Sequence, residues 1–254
     1  MSTILAIETS SEMASCALLR GDAVTSRSSS GVRTHSAAVL PMIQELLLDA
    51  GIALADVDAI AYGAGPGSFT GVRTACGVAQ GLGFGADVPL LPVVTLDAMA
   101  LACRQQYGST DILAVLDARM GEVYWAQYRY AGAAGEIQGA VATLPATLPE
   151  IVLAPALSAP ESVAPQGGVT ACGNGLTAYA EAFANQPFAA GAHGDVMPHA
   201  VQVAQLGRIA FEAGQGVAAA QAQPLYLRNK IAYTSAERRE MNAGAAKAVA
   251  KAEA

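Results

Sequence analysis

At 254 residues, with 53% hydrophobic and only 14% charged residues, the chain carries enough apolar material for one large or two modest cores, and two lobes are expected. No apolar run reaches the length of a membrane span and no basic-then-apolar leader opens the chain, so a soluble, cytoplasmic protein without membrane contact is expected. A formal charge of −7 and a pI near 4.9 argue against autonomous nucleic-acid binding, which draws on lysine and arginine, so any RNA is to be held mainly by a partner.

The first elements are compact. Residues 3–7 read as a buried strand running into Glu8-Thr9-Ser10-Ser11, polar residues where a first strand delivers chemistry. Residues 16–20 and 23–28 flank Gly21-Asp22 and form a hairpin. Over 36–50, Val39, Leu40, Ile43, Leu46 and Leu47 recur at helical spacing, with Gly51 as the stop; Pro41 either starts this helix near Leu40 or kinks it.

Residues 58–62 form another buried strand, which Gly63, Gly65, Pro66 and Gly67 break, and Ser68 and Thr70 can cap the helix that follows. In that helix Gly71, Ala75 and Ala79 share one row and Gly77, Gly81 and Gly85 another, so a second helix can approach closely. The interior glycines cost about 1 kcal/mol each relative to alanine, which favours a packed helix over a solvated one. The glycine corner has two readings, an anion site at a helix start or a turn that aims an interface helix. It lacks the dinucleotide spacing, the P-loop lysine and the nucleophile elbow, whose first glycine is replaced by Pro66.

A strand over 89–95 and a helix over 96–107 come next, and then the opening returns. Ile112-Leu113-Ala114-Val115 echoes Ile4-Leu5-Ala6-Ile7, Asp117-Ala118-Arg119 follows, and residues 123–130 supply the next strand. A half-chain duplication would set two related lobes around a cleft, with Glu8 on one side and Asp117 on the other as carboxylates for a magnesium nucleotide; alternatively both are ordinary turn acids. Residues 140–166 read as loop with brief ordered pieces, 169–175 as a strand into a turn, 176–184 and 201–211 as helices. From residue 233 the chain is alanine-rich and charged, a frayed helix or disordered tail whose basic residues are either solvated or in contact with RNA or a partner.

Catalytic equipment is sparse. The four cysteines lack C-x-x-C spacing and suit buried thiols in a reducing compartment, with no zinc ribbon or disulfide framework. His193 and His199 read as surface residues, and the position one turn after His35 is Val39, so no metal is expected. No serine or cysteine sits in a nucleophile motif, and no catalytic residue is assigned.

The segments AIETSS, RTHSAAVLPMI, AIAYGAGPGSFTGVRTACGVAQGL, PVVTL, LDARMGEVYWAQY and PLYLRN, in this order, resemble the bacterial TsaB (YeaZ) family as far as about residue 229. The resemblance implies a two-lobed α/β fold of the actin, hexokinase and Hsp70 (ASKHA) superfamily with duplicated mixed-sheet lobes. The lobes would be an N-terminal one over 1–105 and a C-terminal one over 106–232, a helix near 200–212 packing back on the first, with a tail over 233–254. It also implies a role in forming threonylcarbamoyladenosine in tRNAs that read codons beginning with A. The family's enzyme is the paralogue TsaD, whose metal site uses His-x-x-x-His; here the motif reads His35-Ser36-Ala37-Ala38-Val39, a degenerate copy.

The implied role is a noncatalytic scaffold that pairs with TsaD through the helices over 36–50 and 70–84, with Leu40, Ile43, Leu47, Val72, Ala75, Cys76 and Ala79 as contact residues. The same surface would form a homodimer when the chain is alone. The ATPase TsaE is a further implied partner, tRNA is reached through the complex, and no cofactor is held tightly, ATP or ADP lying at the complex junction. Glu8, Thr9 and Asp117 are this chain's candidates for nucleotide-proximal residues. The alternative is a nucleotide-hydrolysing or peptidase-type enzyme that uses the cleft carboxylates.

Overall fold

The computed structural model describes residues 1–30, 35–132 and 148–228. The C-terminal segment read as a tail therefore lies outside the described residues.

On β1 (Thr3–Glu8), Ile4 and Ala6 join one core and Leu5 and Ile7 another, and all four are fully buried. Such a strand must be covered on both faces. It pairs antiparallel with β2 (Met13–Arg20), which pairs with β3 (Ala23–Ser30). On its other side β1 pairs parallel with β4 (Ala59–Gly65), and β4 with β5 (Leu90–Val94), giving the order β3-β2-β1-β4-β5.

The second sheet repeats this plan. β6 (Asp111–Arg119) pairs antiparallel with β7 (Glu122–Arg129), β7 with β8 (Glu150–Ser158), and β6 runs parallel to β9 (Thr170–Cys172), in the order β8-β7-β6-β9. The echo between 4–7 and 112–115 thus falls on the equivalent first strand of each sheet. The two-lobed, duplicated α/β architecture is present.

Helices fill the layers between and outside the sheets. α1 (His35–Asp49) and α2 (Phe69–Ala86) cover Leu5, Ile7, Cys16, Leu18, Ile60 and Tyr62 on the outer face of the first sheet. α3 (Thr95–Tyr107) and the last helix, α6 (Ala200–Glu212), occupy the layer between the sheets, in a core that joins Ile4, Ala6 and Ala61 to Ile112, Ala114 and Leu116. α6 returns the chain to the first sheet: Ser15 Oγ accepts from the amide of Ala200 at 2.9 Å. Gly207 lets its backbone ride on β4, because a Cβ there would stand 2.6 Å from that of Ala61. The short α4 (Gly175–Ala178) and α5 (Ala180–Phe183) cover the far face of the second sheet, where Leu113, Val115 and Val123 meet Phe183 and Phe188.

Local readings are corrected in four places. The stretch 140–166 contains β8, an edge strand that tolerates Pro155 because one side needs no ladder bond, and its half-exposed residues give no alternation to read. The helix expected over 176–184 is interrupted at Tyr179, with φ −126° and ψ 40°. α1 passes through Pro41 unbroken; Pro41 and Ala37 are both exposed, so the carbonyl that loses its partner faces water. Gly63 and Gly65 lie within β4, and Asp117 to Arg119 within β6, rather than beyond their ends.

Candidate functional site

Two features stand out, the outer face of α1 and α2 and the cleft between the lobes. α2 is capped by Ser68, whose hydroxyl accepts from the amide of Gly71 at 3.4 Å. The row Gly71, Ala75, Ala79 faces inward. A Cβ on Gly71 would collide with the carbonyl oxygen of Thr9, Ala75, Cys76 and Ala79 are buried on the first sheet, and Val72 is buried beside the cleft.

The structure therefore separates the expected contact residues. Ile43, Val72, Ala75, Cys76 and Ala79 belong to the chain's own core, Leu47 is half-buried, and of the seven Leu40 alone is exposed, at 47%. The outward row is the other one. Nothing lies within 4 Å of a Cβ on Gly77, Gly81 or Gly85, and Phe84 beside them is 82% exposed. On α1 the matching surface is Leu40 with Leu48, 79% exposed. The signal in the sequence was available: Val72, Ala75, Cys76 and Ala79 form an i, i+3, i+4, i+7 apolar stripe, which must face the core, whereas a row of glycines has no side chains to bury.

In the cleft the loop after β1 is fastened to the glycine corner. Thr9 Oγ1 donates to the carbonyl of Gly71 at 2.7 Å, and the Ser10 carbonyl accepts from the amide of Ser68 at 2.8 Å. A Cβ on Gly67 would stand 2.6 Å from that same carbonyl oxygen. The corner serves as a close-packed turn, and its glycines admit the β1 loop.

Glu8 does not line the cleft. It is fully buried over Gly63, its Oε1 accepts from the amide of Ser10 at 2.5 Å, and Oε2 has no partner. Burial pushes its carboxyl above the ordinary value, against the hydrogen bonds from Ser10, which favours the neutral acid. Asp117 does line the cleft, but its carboxylate is engaged. It accepts from the Arg119 amide at 2.7 Å, the Arg119 guanidinium at 3.0 Å and the Tyr179 hydroxyl at 3.1 Å. The two acids do not form a facing pair, and among the described residues no cluster of three histidine, cysteine or acidic side chains could hold a metal. These residues do not fit a magnesium nucleotide in this cleft.

The histidines are structural where their side chains are described. His193 stacks on Tyr107 at 3.4 Å between ring centroids. His199, expected at the surface, is instead the N-cap of α6, its Nδ1 accepting from the amide of Val201 at 3.2 Å, and burial lowers its pKa. Cys16, Cys76, Cys103 and Cys172 are free and buried, as their spacing suggested.

Comparison with known proteins matches the chain to a TsaD family model and to TsaB and YeaZ relatives. The family model for TsaD, tRNA N6-adenosine threonylcarbamoyltransferase, matches residues 24–240. The tRNA threonylcarbamoyladenosine biosynthesis protein TsaB of Escherichia coli (strain K12) is 36% identical over 230 residues, covering 91% of this chain and 96% of that protein. TsaB of Haemophilus influenzae is 49% identical over 125 residues, 49% of this chain and 53% of that one. The solved structure of YeaZ from Pseudomonas aeruginosa superposes with a TM-score of 0.77 at 38% identity, covering 89% of this chain and all of that one.

Proposed function

Because the chain belongs to the TsaB (YeaZ) family of tRNA threonylcarbamoyladenosine biosynthesis proteins, we propose that it serves that modification as a noncatalytic scaffold and activator of a TsaD-type threonylcarbamoyl transferase. One observation carries this reading: the outer face of α1 and α2 combines exposed Leu40, Leu48 and Phe84 with a glycine row that leaves room for another helix backbone. An apolar face of this kind favours burial against a partner. The absence of side chains over Gly77 and Gly81 suits helix-on-helix contact at short interaxial distance.

The cleft supports the noncatalytic part of the reading. Val39, fully buried on α1, stands where a second metal-binding histidine would follow His35, Glu8 is buried away from the cleft, and Asp117 is engaged by Arg119. In this account TsaD is the heterodimer partner and TsaE the further ATPase. A homodimer uses the same face when the chain is alone, tRNA is reached only through the complex, and ATP or ADP belongs to the complex junction. Among the described residues no helix is long and apolar enough to cross a membrane, and the site of action is the cytoplasm.

The test is co-elution of the chain with a TsaD partner on a sizing column. Gly81→Leu should abolish the complex with the fold intact, since that position opens to solvent. Ala79→Leu should instead impair folding, since Ala79 is fully buried. A stoichiometric complex that forms unchanged with Gly81→Leu removes the helical face from the account.

A further inference from the structure

The cleft between the lobes has a volume of about 570 Å³, the size of a small-molecule site. Its walls are largely apolar: Val72, Leu116 and Leu225 line it together with the rings of Phe69, Tyr124 and Tyr226. Three arginines also line it, and their charges are not equally spent. Arg119 pairs with Glu12 at 2.9 Å and with Asp117 at 3.0 Å, and Arg228 pairs with Glu122 at 2.6 Å.

Arg73 has no such counterpart. Among the described residues no carboxylate lies within ion-pair distance of it. Its Nε donates to the Tyr226 hydroxyl at 2.8 Å, and its guanidinium carbon lies 3.5 Å from the centre of the Phe69 ring and 5.5 Å from that of Tyr226. Two ring faces and one hydroxyl thus fix the guanidinium in place. Its terminal nitrogens remain as donors for an incoming anion.

The cleft offers one uncompensated positive charge beside an apolar and aromatic hollow. It offers no open phosphate loop, and the two carboxylates that line it, Glu12 and Asp117, are both held by Arg119 rather than left for a metal, which argues against a polyphosphate. We propose that the inter-lobe cleft binds a small organic monoanion with a flat apolar body, an aromatic carboxylate, whose carboxylate pairs with Arg73 and whose ring lies among Phe69, Tyr124 and Tyr226. Residues 225–228 run along one wall, so the occupant touches both lobes and the segment that spans them.

Calorimetric titration of the full chain tests this with 2-naphthoate, with 2-naphthalenemethanol as the neutral isostere and with magnesium ATP as the nucleotide arm. The expected result is one naphthoate per chain, bound at least about tenfold more tightly than the alcohol, since a charge-assisted bond supplies that much. Arg73→Met should reduce naphthoate to the level of the alcohol. Leu227→Trp, which places bulk in the cleft, should weaken both, with thermal midpoints confirming that each variant is folded. Three results would overturn the proposal: no binding of naphthoate at millimolar concentration, naphthoate affinity unchanged in both variants, or magnesium ATP binding more tightly than naphthoate.

Discussion

The hydroxyl of Thr9 donates to the carbonyl of Gly71 at 2.7 Å, joining the loop after the first strand to the first turn of α2 across 62 residues. That bond decides what the glycine corner is for. The contact is so close that only glycine fits at 71.

Gly71→Ala should therefore cost about 3 kcal/mol, because the added methyl meets backbone rather than a movable side chain. Gly77→Ala, on the same helix but open to solvent, should stabilise by up to about 1 kcal/mol. Urea unfolding of the two variants checks both signs. Equal effects would contradict the assignment of inward and outward rows.

A second prediction concerns pH. Burial raises the carboxyl of Asp97 on α3 from 3.8 to about 6, opposed in part by the neighbouring Tyr128 hydroxyl. A folded-state pKa above the unfolded value favours the protonated form, so this group's contribution is intact below about pH 3.8 and is lost as pH rises through about 6. The loss should be on the order of 3 kcal/mol. Asp97→Asn should remove it, so that the variant gains on the wild type between those two pH values and then holds a constant difference, as measured by denaturant midpoints.

Much of this was legible in the sequence. The echo of 4–7 in 112–115 located the first strand of each sheet, because buried parallel strands write themselves as continuous apolar runs. β8 was not legible, since an edge strand with Pro155 and half-exposed side chains has neither alternation nor an apolar run. At the site, spacing revealed two small-residue rows on α2 without saying which faced inward. The apolar stripe through Val72, Ala75, Cys76 and Ala79 held that answer. The engagement of Asp117 by Tyr179 depends on residues far apart in the chain, which no local pattern reports.

The segment over 225–228 ties the lobes together. Leu225 donates its amide to Ala64 of the first sheet at 2.7 Å, and Arg228 reaches Glu122 at 2.6 Å and the Arg119 carbonyl at 3.2 Å in the second. Arg228→Met should lower stability by about 1–3 kcal/mol. A double-mutant cycle with Glu122→Gln should return a coupling of at least about 0.5 kcal/mol, whereas additive effects would mean the tie is not energetically significant.

The most direct measurement is threonylcarbamoyl transfer to tRNA in a reconstituted mixture of the pathway proteins, with and without this chain, and with the Gly81→Leu variant in its place. The account predicts product with the wild-type chain, loss of product on omission, and the same loss with the variant. Full activity without the chain would contradict its role as a required activator.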